Sequence, residues 1–406
     1  VQKTCELLLK AHLAHLKKQS VSNGAIVVID NQRHALVALV GSKDFFDSTT
    51  NGQVNGALAL RQPGSTLKPF TYGIALEHGM TAASLLADIP QDNADGATDF
   101  LPENYDRKFH GPVRMRTALA CSYNVPAVRT AEQFGEELLL QKLHLAGFNS
   151  LSQPSSFYGT GLTLGNGEVT LLELTNAYSA LANRGEWNAL KFVDSVRAGS
   201  GFRVQGWRFG VWDSEFEGSS QSAIHQVFSN QVAYILTDIL SDAQARAPAF
   251  GVSSSLNLPF PCAAKTGTSK DYKDNWTVGF TPRYTVGMWV GNFDATPMKL
   301  VSGITGAAPL FRDVMLMLHQ SSVRSLAEAI YDPVGSLRPS DMNTLPDGIS
   351  TADICPRSGM LVETDCPGVM TEYFIQGTEP REPCTVHRSL RLDKRNGLLA
   401  GESTPP

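Results

Sequence analysis

Apolar residues recur at helical spacing near the start of the chain. Leu9, Leu13 and Leu16 place one hydrophobic stripe on residues 3–18 and predict an amphipathic helix. The pattern then changes. Residues 24–30 (Gly-Ala-Ile-Val-Val-Ile-Asp) and 34–41 (His-Ala-Leu-Val-Ala-Leu-Val-Gly) are short apolar runs joined by Asn31-Gln-Arg33, which reads as a β-hairpin. Residues 42–63 are polar and Gly/Asn-rich, hence loop. A helix follows through Tyr72-Gly-Ile-Ala-Leu-Glu77, and Pro69 fixes its start near Ser65, because proline fits a first helical turn but not an interior one.

Further along, residues 87–112 hold many Asp, Asn, Pro and Gly and predict an irregular excursion. Arg116 to Ala120 predict a helix that ends at Ser122-Tyr-Asn124, and Pro126 opens the next one. Thr170-Leu-Leu-Glu173 is a capping box, and Leu174, Ala177, Tyr178 and Leu181 line one face of the helix after it, which stops at Asn183-Arg-Gly185. Residues 192–225 read as a β-rich insertion, 226–241 as helix, 276–280 and 284–291 as strands about a Thr281-Pro-Arg283 turn, and 307–319 as a last helix. Beyond about residue 332 the composition shifts to Pro, Gly and Thr. The expected organisation is a main domain over 1–332, a small Cys-containing segment over 333–391 and a disordered tail over 392–406.

With 406 residues, 42% hydrophobic and 18% charged, the chain suits an ordinary globular protein of one large domain with an appendage. A net charge of -5 argues against nucleic acid as a partner. No apolar run approaches the roughly 20 residues of a membrane span. The chain does not begin with Met and has no signal-peptide pattern at Val1, so it is expected to be a fragment or processed form of something longer. Of six cysteines, Cys5, Cys121 and Cys262 are scattered and read as small buried residues. The others crowd into Cys355-x10-Cys366-x17-Cys384-x2-His387. Two readings compete there besides free thiols: a disulfide, and a Cys3His zinc site whose first pair lacks the usual short spacing. No metal and no cofactor is expected at the candidate catalytic site.

The candidate chemistry starts at Ser65-Thr-Leu-Lys68. Residues three apart on a helix share a face, so the lysine amine is placed to reach the serine hydroxyl, and serine needs such a base to become a nucleophile. A lysine at its reference pKa of about 10.4 is protonated at pH 7, so Lys68 must be depressed by burial and a second cation. Lys265 is that cation if its strand runs beside the Ser65 helix. Ser122 is placed as a proton shuttle between Lys68 and the leaving group, and Asn124 can hold both a lysine and a substrate amide. Lys265, Thr266 and Thr268 offer a cation and two hydroxyls for a substrate carboxylate, and Gly267 permits close approach of the substrate backbone. The backbone N–H groups of Ser65 and Thr268 are the expected oxyanion pair, with Ser65 at a helix N-terminus. Lys-Thr-Gly-Thr alone is most often a surface strand end, and Ser-Tyr-Asn alone says little; their order along one chain is what gives them weight. His110, His225 and His319 read as satisfied polar groups, and Asp271 and Asp274 as loop and capping residues rather than catalytic carboxylates.

These three motifs together are the set shared by class A β-lactamases and penicillin-binding proteins. The chain resembles the transpeptidase domain of a bifunctional (class A) penicillin-binding protein. The resemblance rests on Arg61-Gln-Pro-Gly-Ser-Thr-Leu-Lys-Pro-Phe70, Thr117-Ala-Leu-Ala-Cys-Ser-Tyr-Asn-Val-Pro126 and Lys265-Thr-Gly-Thr-Ser269. Asn275-Trp-Thr-Val-Gly-Phe-Thr-Pro282 and Gly287-Met-Trp-Val-Gly291 add to it. Ile354-Cys-Pro-Arg-Ser-Gly359, Gly377-Thr-x-Pro380 and Cys384-x-x-His387 resemble a segment that often trails that domain. The resemblance implies an α+β fold with a central antiparallel sheet of about five strands flanked by helices. It implies D,D-transpeptidation of peptidoglycan stem peptides through an acyl-enzyme on Ser65, with release of D-alanine and acylation by β-lactam antibiotics. It also implies a place on the extracytoplasmic (periplasmic) side of the bacterial inner membrane, with a glycosyltransferase half and a membrane anchor upstream. The alternatives are a D,D-carboxypeptidase or β-lactamase of the same fold, or a non-catalytic penicillin-binding sensor. A β-lactamase needs a group that activates water, and Glu168 and Glu173 read as loop and cap residues instead.

Overall fold

The computed structural model describes residues 1–90, 101–192, 224–320 and 345–400. Its elements follow the period changes of the chain. Helix α1 (Gln2–His15) precedes strands β1 (Asn23–Asp30) and β2 (Ala35–Val40). A 3-10 turn over Gly64–Leu67 runs straight into α2 (Lys68–Glu77), with Pro69 in the first turn of that helix. The ends of the expected irregular excursion pair with each other as β3 (Leu85–Asp88) and β4 (Gly111–Arg114), a short ribbon that the Pro- and Asp-rich composition hides. Four helices follow: α3 (Met115–Ala120), α4 (Asn124–Phe134), α5 (Glu136–Leu145) and the single turn α6 (Ser155–Tyr158).

Helix α7 (Leu171–Ala182) carries the expected capping box, with both reciprocal Thr170–Glu173 bonds made. Strands β5 (Glu186–Asn188) and β6 (Ile224–Gln226) pair at the two ends of the expected β-rich insertion, whose body, 193–223, lies outside the described residues. The helix expected over 226–241 starts later, as α8 (Asn230–Ser241), because Ser229 accepts from Val232 N and caps it there. Helix α9 (Ala243–Phe250) is capped by Asp242, and then come β7 (Ala263–Thr268), β8 (Asp274–Phe280), β9 (Tyr284–Gly291) and α10 (Ala307–Leu318). The small C-terminal segment pairs β10 (Ile349–Ile354) with β11 (Met370–Ile375). The expected boundary near residue 332 lies outside the described residues. Of the tail expected to be disordered, 392–400 forms a turn in which Leu392 bridges Leu399.

Five strands form one antiparallel sheet in the order β2-β1-β9-β8-β7, as the α+β reading expected. Both of its faces are covered. Helix α7 packs across β1, β8 and β9 on one side, with α2 and α8 beyond it; α1 and α10 pack on the other. Strand β1 shows the consequence: every residue in it is buried, Ala25, Val27 and Ile29 toward one core and Ile26 and Val28 toward the other. A period of two normally gives one wet face, but two helical layers turn it into a continuous apolar run. Helix α2 is buried from Lys68 to Leu76. Its Phe70 meets Phe148 and Tyr178 edge-on at 5.6 and 6.1 Å, and burying one such ring contributes about 1.5–3 kcal/mol. That burial is what holds Lys68 away from water.

The C-terminal segment is tied to the main domain by charge. Arg116 on α3 donates through Nε to Glu372 of β11 at 2.8 Å and through Nη1 to Asp242 at 3.1 Å, and pairs with Asp238 of α8. Glu372 is fully buried and also pairs with Arg114 at 3.4 Å.

Candidate active site

Ser65 sits half-buried in the 3-10 turn, one turn ahead of α2, at the floor of a cleft of about 230 Å³ that also exposes Ser122, Asn124, Thr266 and Thr268. Both lysines lie beneath that floor: Lys68 is 0% and Lys265 3% exposed.

Lys68 Nζ donates to Ser122 O at 2.6 Å, Tyr123 O at 2.9 Å and Asn124 Oδ1 at 2.6 Å, with Ser122 Oγ at 3.5 Å. The Ser65 hydroxyl is not among its partners and has none among the described residues, which differs from the direct contact expected from the spacing. The three carbonyl acceptors suit an ammonium, while burial favours the free amine. Burial prevails: it pulls Lys68 well below the ordinary lysine range, the Lys265 cation adds to the shift, and the Asp88 carboxylate opposes it. Lys265 Nζ donates to Ser122 Oγ at 2.7 Å and to Thr266 O at 2.9 Å. Burial brings it down to about 7, opposed by Cys121 and helped by Arg246. Ser122 thus lies between the two amines. It holds a left-handed backbone at φ 60° at the end of α3, a conformation uncommon for a residue with a side chain.

The edge strand β7 brings the third motif beside the first. In an antiparallel ladder the hydrogen-bonded pairs alternate. Ser269 N donates to Asp274 O at 2.9 Å, so the N–H of Thr268 points away from β8 toward the open edge. There it faces Gly64: a Cβ on Gly64, whose φ is +59°, would lie 2.8 Å from that nitrogen. The N–H of Thr268 thus lies beside Gly64, the residue that precedes Ser65. Gly267 permits a close approach, here of the protein's own turn, since a Cβ on it would lie 2.1 Å from Pro63 O. The Thr268 hydroxyl accepts from Gly303 N at 2.9 Å and pins the 301–306 loop that walls the cleft.

A buried polar chain behind Asn124 escaped the sequence reading. Asn104 Oδ1 accepts from Asn124 N at 2.8 Å, and its Nδ2 reaches both Asp88 oxygens at 2.8 Å. Asp88 in turn accepts from His110 N at 3.0 Å and bonds His110 Nδ1 at 2.6 Å, and the His110 ring stacks on Tyr123 at 4.0 Å. Asn124 Nδ2 donates to Glu103 O at 2.6 Å, so its amide has a fixed orientation, with the oxygen on Lys68. Tyr105, Phe250 and Ile304 form an apolar rim that no motif marked.

Other candidates fall into place as supporting groups. His225 bonds Leu145 O, and His319 bonds Met315 O and Thr281. Asp274 is buried under Trp289 Nε1 at 3.0 Å and Ser269 Oγ at 3.0 Å. Glu173 caps α7 and binds Ser150 at 2.7 Å, while Glu168 is exposed. Cys5, Cys121 and Cys262 are buried.

Residues 24–316 match the family model described as the penicillin binding protein transpeptidase domain, and 345–389 match the penicillin-binding protein 1A C-terminal domain. The chain is 31% identical over 363 residues to penicillin-binding protein 1C of Escherichia coli K12, covering 88% of this chain and 41% of that protein. It is 34% identical over 310 residues to penicillin-binding protein 1A of Rickettsia bellii, covering 72% and 37%. It therefore spans about two fifths of the length of these curated relatives. A crystal structure of penicillin-binding protein 1A from Haemophilus influenzae shares the fold at a TM-score of 0.66 and 24% identity, over 89% of this chain and 54% of that one. The PonA1 protein of Mycobacterium tuberculosis in complex with penicillin V does so at 0.62 and 22%, over 79% and 83%.

Proposed function

The chain belongs to the penicillin-binding protein transpeptidase family, and on that premise we propose that it is a serine D,D-transpeptidase that cross-links peptidoglycan stem peptides through an acyl-enzyme on Ser65. The observation that carries this reading is the convergence of Ser65, Ser122, Asn124 and Thr268 on one cleft above two buried lysines. Ser65 Oγ attacks the carbonyl of the penultimate D-alanine, and its proton passes to the free amine of Lys68. The oxyanion is held by the N–H groups of Ser65 and Thr268; one such donor is typically worth about 10²–10³-fold in kcat. Ser122, hydrogen-bonded to Lys265 at 2.7 Å, hands a proton to the departing D-alanine nitrogen. An amine on a second stem peptide then takes the acyl group by the reverse steps. The Lys265 cation and the Thr266 and Thr268 hydroxyls hold the terminal carboxylate of the donor, and Asn124 orients its amide. A β-lactam, with an acyl bond and a carboxylate in the same places, acylates Ser65. Glu173 is committed to its cap, which favours slow hydrolysis over β-lactamase turnover.

In a full-length protein this half would work on the extracytoplasmic side of the bacterial inner membrane, beside a glycosyltransferase half and its anchor. Among the described residues no helix is long and apolar enough to cross a membrane. The discriminating experiment is time-resolved penicillin labelling of the purified chain, together with a D-Ala-D-Ala donor offered with and without an acceptor amine. A label that lasts many minutes and an aminolysis product are expected. Rapid loss of the label would replace this reading with a β-lactamase, and stable labelling with no donor turnover would replace it with a sensor.

The two amines also set a pH profile. Lys68 must be neutral to accept a proton and Lys265 charged to hold a carboxylate. The second-order acylation rate should rise as Lys68 deprotonates, then fall as Lys265 loses its proton with a midpoint near 7. Lys265→Arg should move the falling limb upward, out of the measured range. A profile that is flat between about pH 5 and pH 9 would contradict these roles.

A further inference from the structure

The C-terminal segment holds a cluster that the transpeptidase chemistry does not use. Cys355, Cys366, Cys384 and His387 each offer one ligand atom, and these four atoms all lie within 4.8 Å of one another. His387 Nδ1 lies 3.5 Å from Cys355 Sγ and 3.3 Å from Cys384 Sγ. Zinc bonds of about 2.3 Å to sulfur and about 2.05 Å to nitrogen give tetrahedral sulfur–nitrogen edges of about 3.6 Å. We propose that these four residues form a structural zinc site, Cys3His, that staples the C-terminal segment together and holds it against the main domain.

The ten-residue gap from Cys355 to Cys366 lacks the short spacing usual for a zinc pair. In space that gap is closed by backbone. Cys355 leaves β10 and turns at once, with Gly359 N donating to Cys355 O at 3.0 Å and Cys355 N to Met360 O at 2.8 Å. Leu361 then bridges both Ile354 and Pro383, and Cys384 N donates to Leu361 O at 2.9 Å, which sets Cys384 beside Cys355. Glu363 N donates to Cys366 Sγ at 3.3 Å and Ser358 Oγ to Cys384 Sγ at 3.1 Å, the kind of donors that orient and stabilise metal thiolates. A disulfide would use two sulfurs and leave the third thiol and the imidazole without a purpose. Three thiolates with one imidazole and no open position suit a closed structural site for a thiolate-preferring cation. Each ligating thiol gives up its proton to solvent.

The knuckle also touches the main domain. Arg114 Nε donates to Pro356 O at 3.1 Å, and Gly359 packs so close to Ala83 that a Cβ would lie 2.2 Å from its carbonyl oxygen. The proposal is independent of the reaction at Ser65, and its readouts do not depend on that chemistry. The test is elemental analysis of the whole chain purified without chelators, with the reduced apoprotein then titrated with zinc and with cobalt. About one zinc per chain is expected, with a cobalt spectrum showing tetrahedral thiolate ligation. Ser358→Ala should weaken zinc about 10-fold or more, and Cys384→Ser should abolish stoichiometric binding. Circular dichroism and thermal unfolding report whether each variant still folds. A reduced wild-type chain that takes up neither metal would overturn the proposal. So would a reductant-sensitive mass deficit of two hydrogens that maps to these cysteines.

Discussion

Replacing Lys68 by alanine is expected to slow penicillin acylation of Ser65 by about 10²–10⁴-fold, the usual worth of a positioned general base, while leaving the chain folded. The expectation follows from the surroundings of the amine. Lys68 is wholly buried, and its hydrogen bonds go to the Ser122–Asn124 turn, not to the sheet. Truncation leaves two carbonyls and an amide oxygen without their donor, at a cost of about 1–3 kcal/mol for an unsatisfied buried group. It also removes a buried amine whose desolvation was itself unfavourable, so the net loss of stability should be small next to the loss of rate. Stopped-flow acylation alongside thermal unfolding separates the two. Acylation at the wild-type rate would place the base elsewhere.

Arg116→Ala is expected to have the largest effect on stability, about 3–5 kcal/mol, the range for breaking a buried ion pair from one side. Glu372 is 0% exposed and, among the described residues, would keep the longer pair with Arg114 at 3.4 Å and the bond from Tyr373 N at 3.0 Å. Asp238, already raised by burial against the pull of Arg116, would lose its main partner. Helix α3 leads directly into Ser122, so the C-terminal segment should loosen and acylation slow together. Limited proteolysis, thermal unfolding and labelling read these effects. An unchanged melting temperature would mean that the cluster is solvated and contributes little.

The layers of the fold were legible because period and punctuation agree in this chain. The Thr170–Glu173 box starts α7, Pro69 marks the first turn of α2, and the runs at 24–30 and 276–291 become central strands. The residues of the three motifs were legible for a different reason: their types and order are rare together. What the chain could not announce is what long-range packing decides. Asn104 and Asp88 sit in a stretch rich in turn formers, and only the closure of β3 on β4 carries them behind Asn124. Likewise, spacing places Lys68 on the face of Ser65, but the left-handed turn at Ser122 supplies three acceptors that draw the amine toward itself. The sheet edge explains Thr268: nothing in Lys-Thr-Gly-Thr says which N–H is free, whereas the alternation against β8 does.

Ser65 carries the acyl group in the proposed reaction, and peptide-resolved mass spectrometry after incubation with a penicillin locates that group at the level of the residue. One stable adduct of the whole penicillin mass is expected, located on Ser65 and absent from Ser65→Ala. An adduct on another residue, or an equal yield in Ser65→Ala, would contradict it.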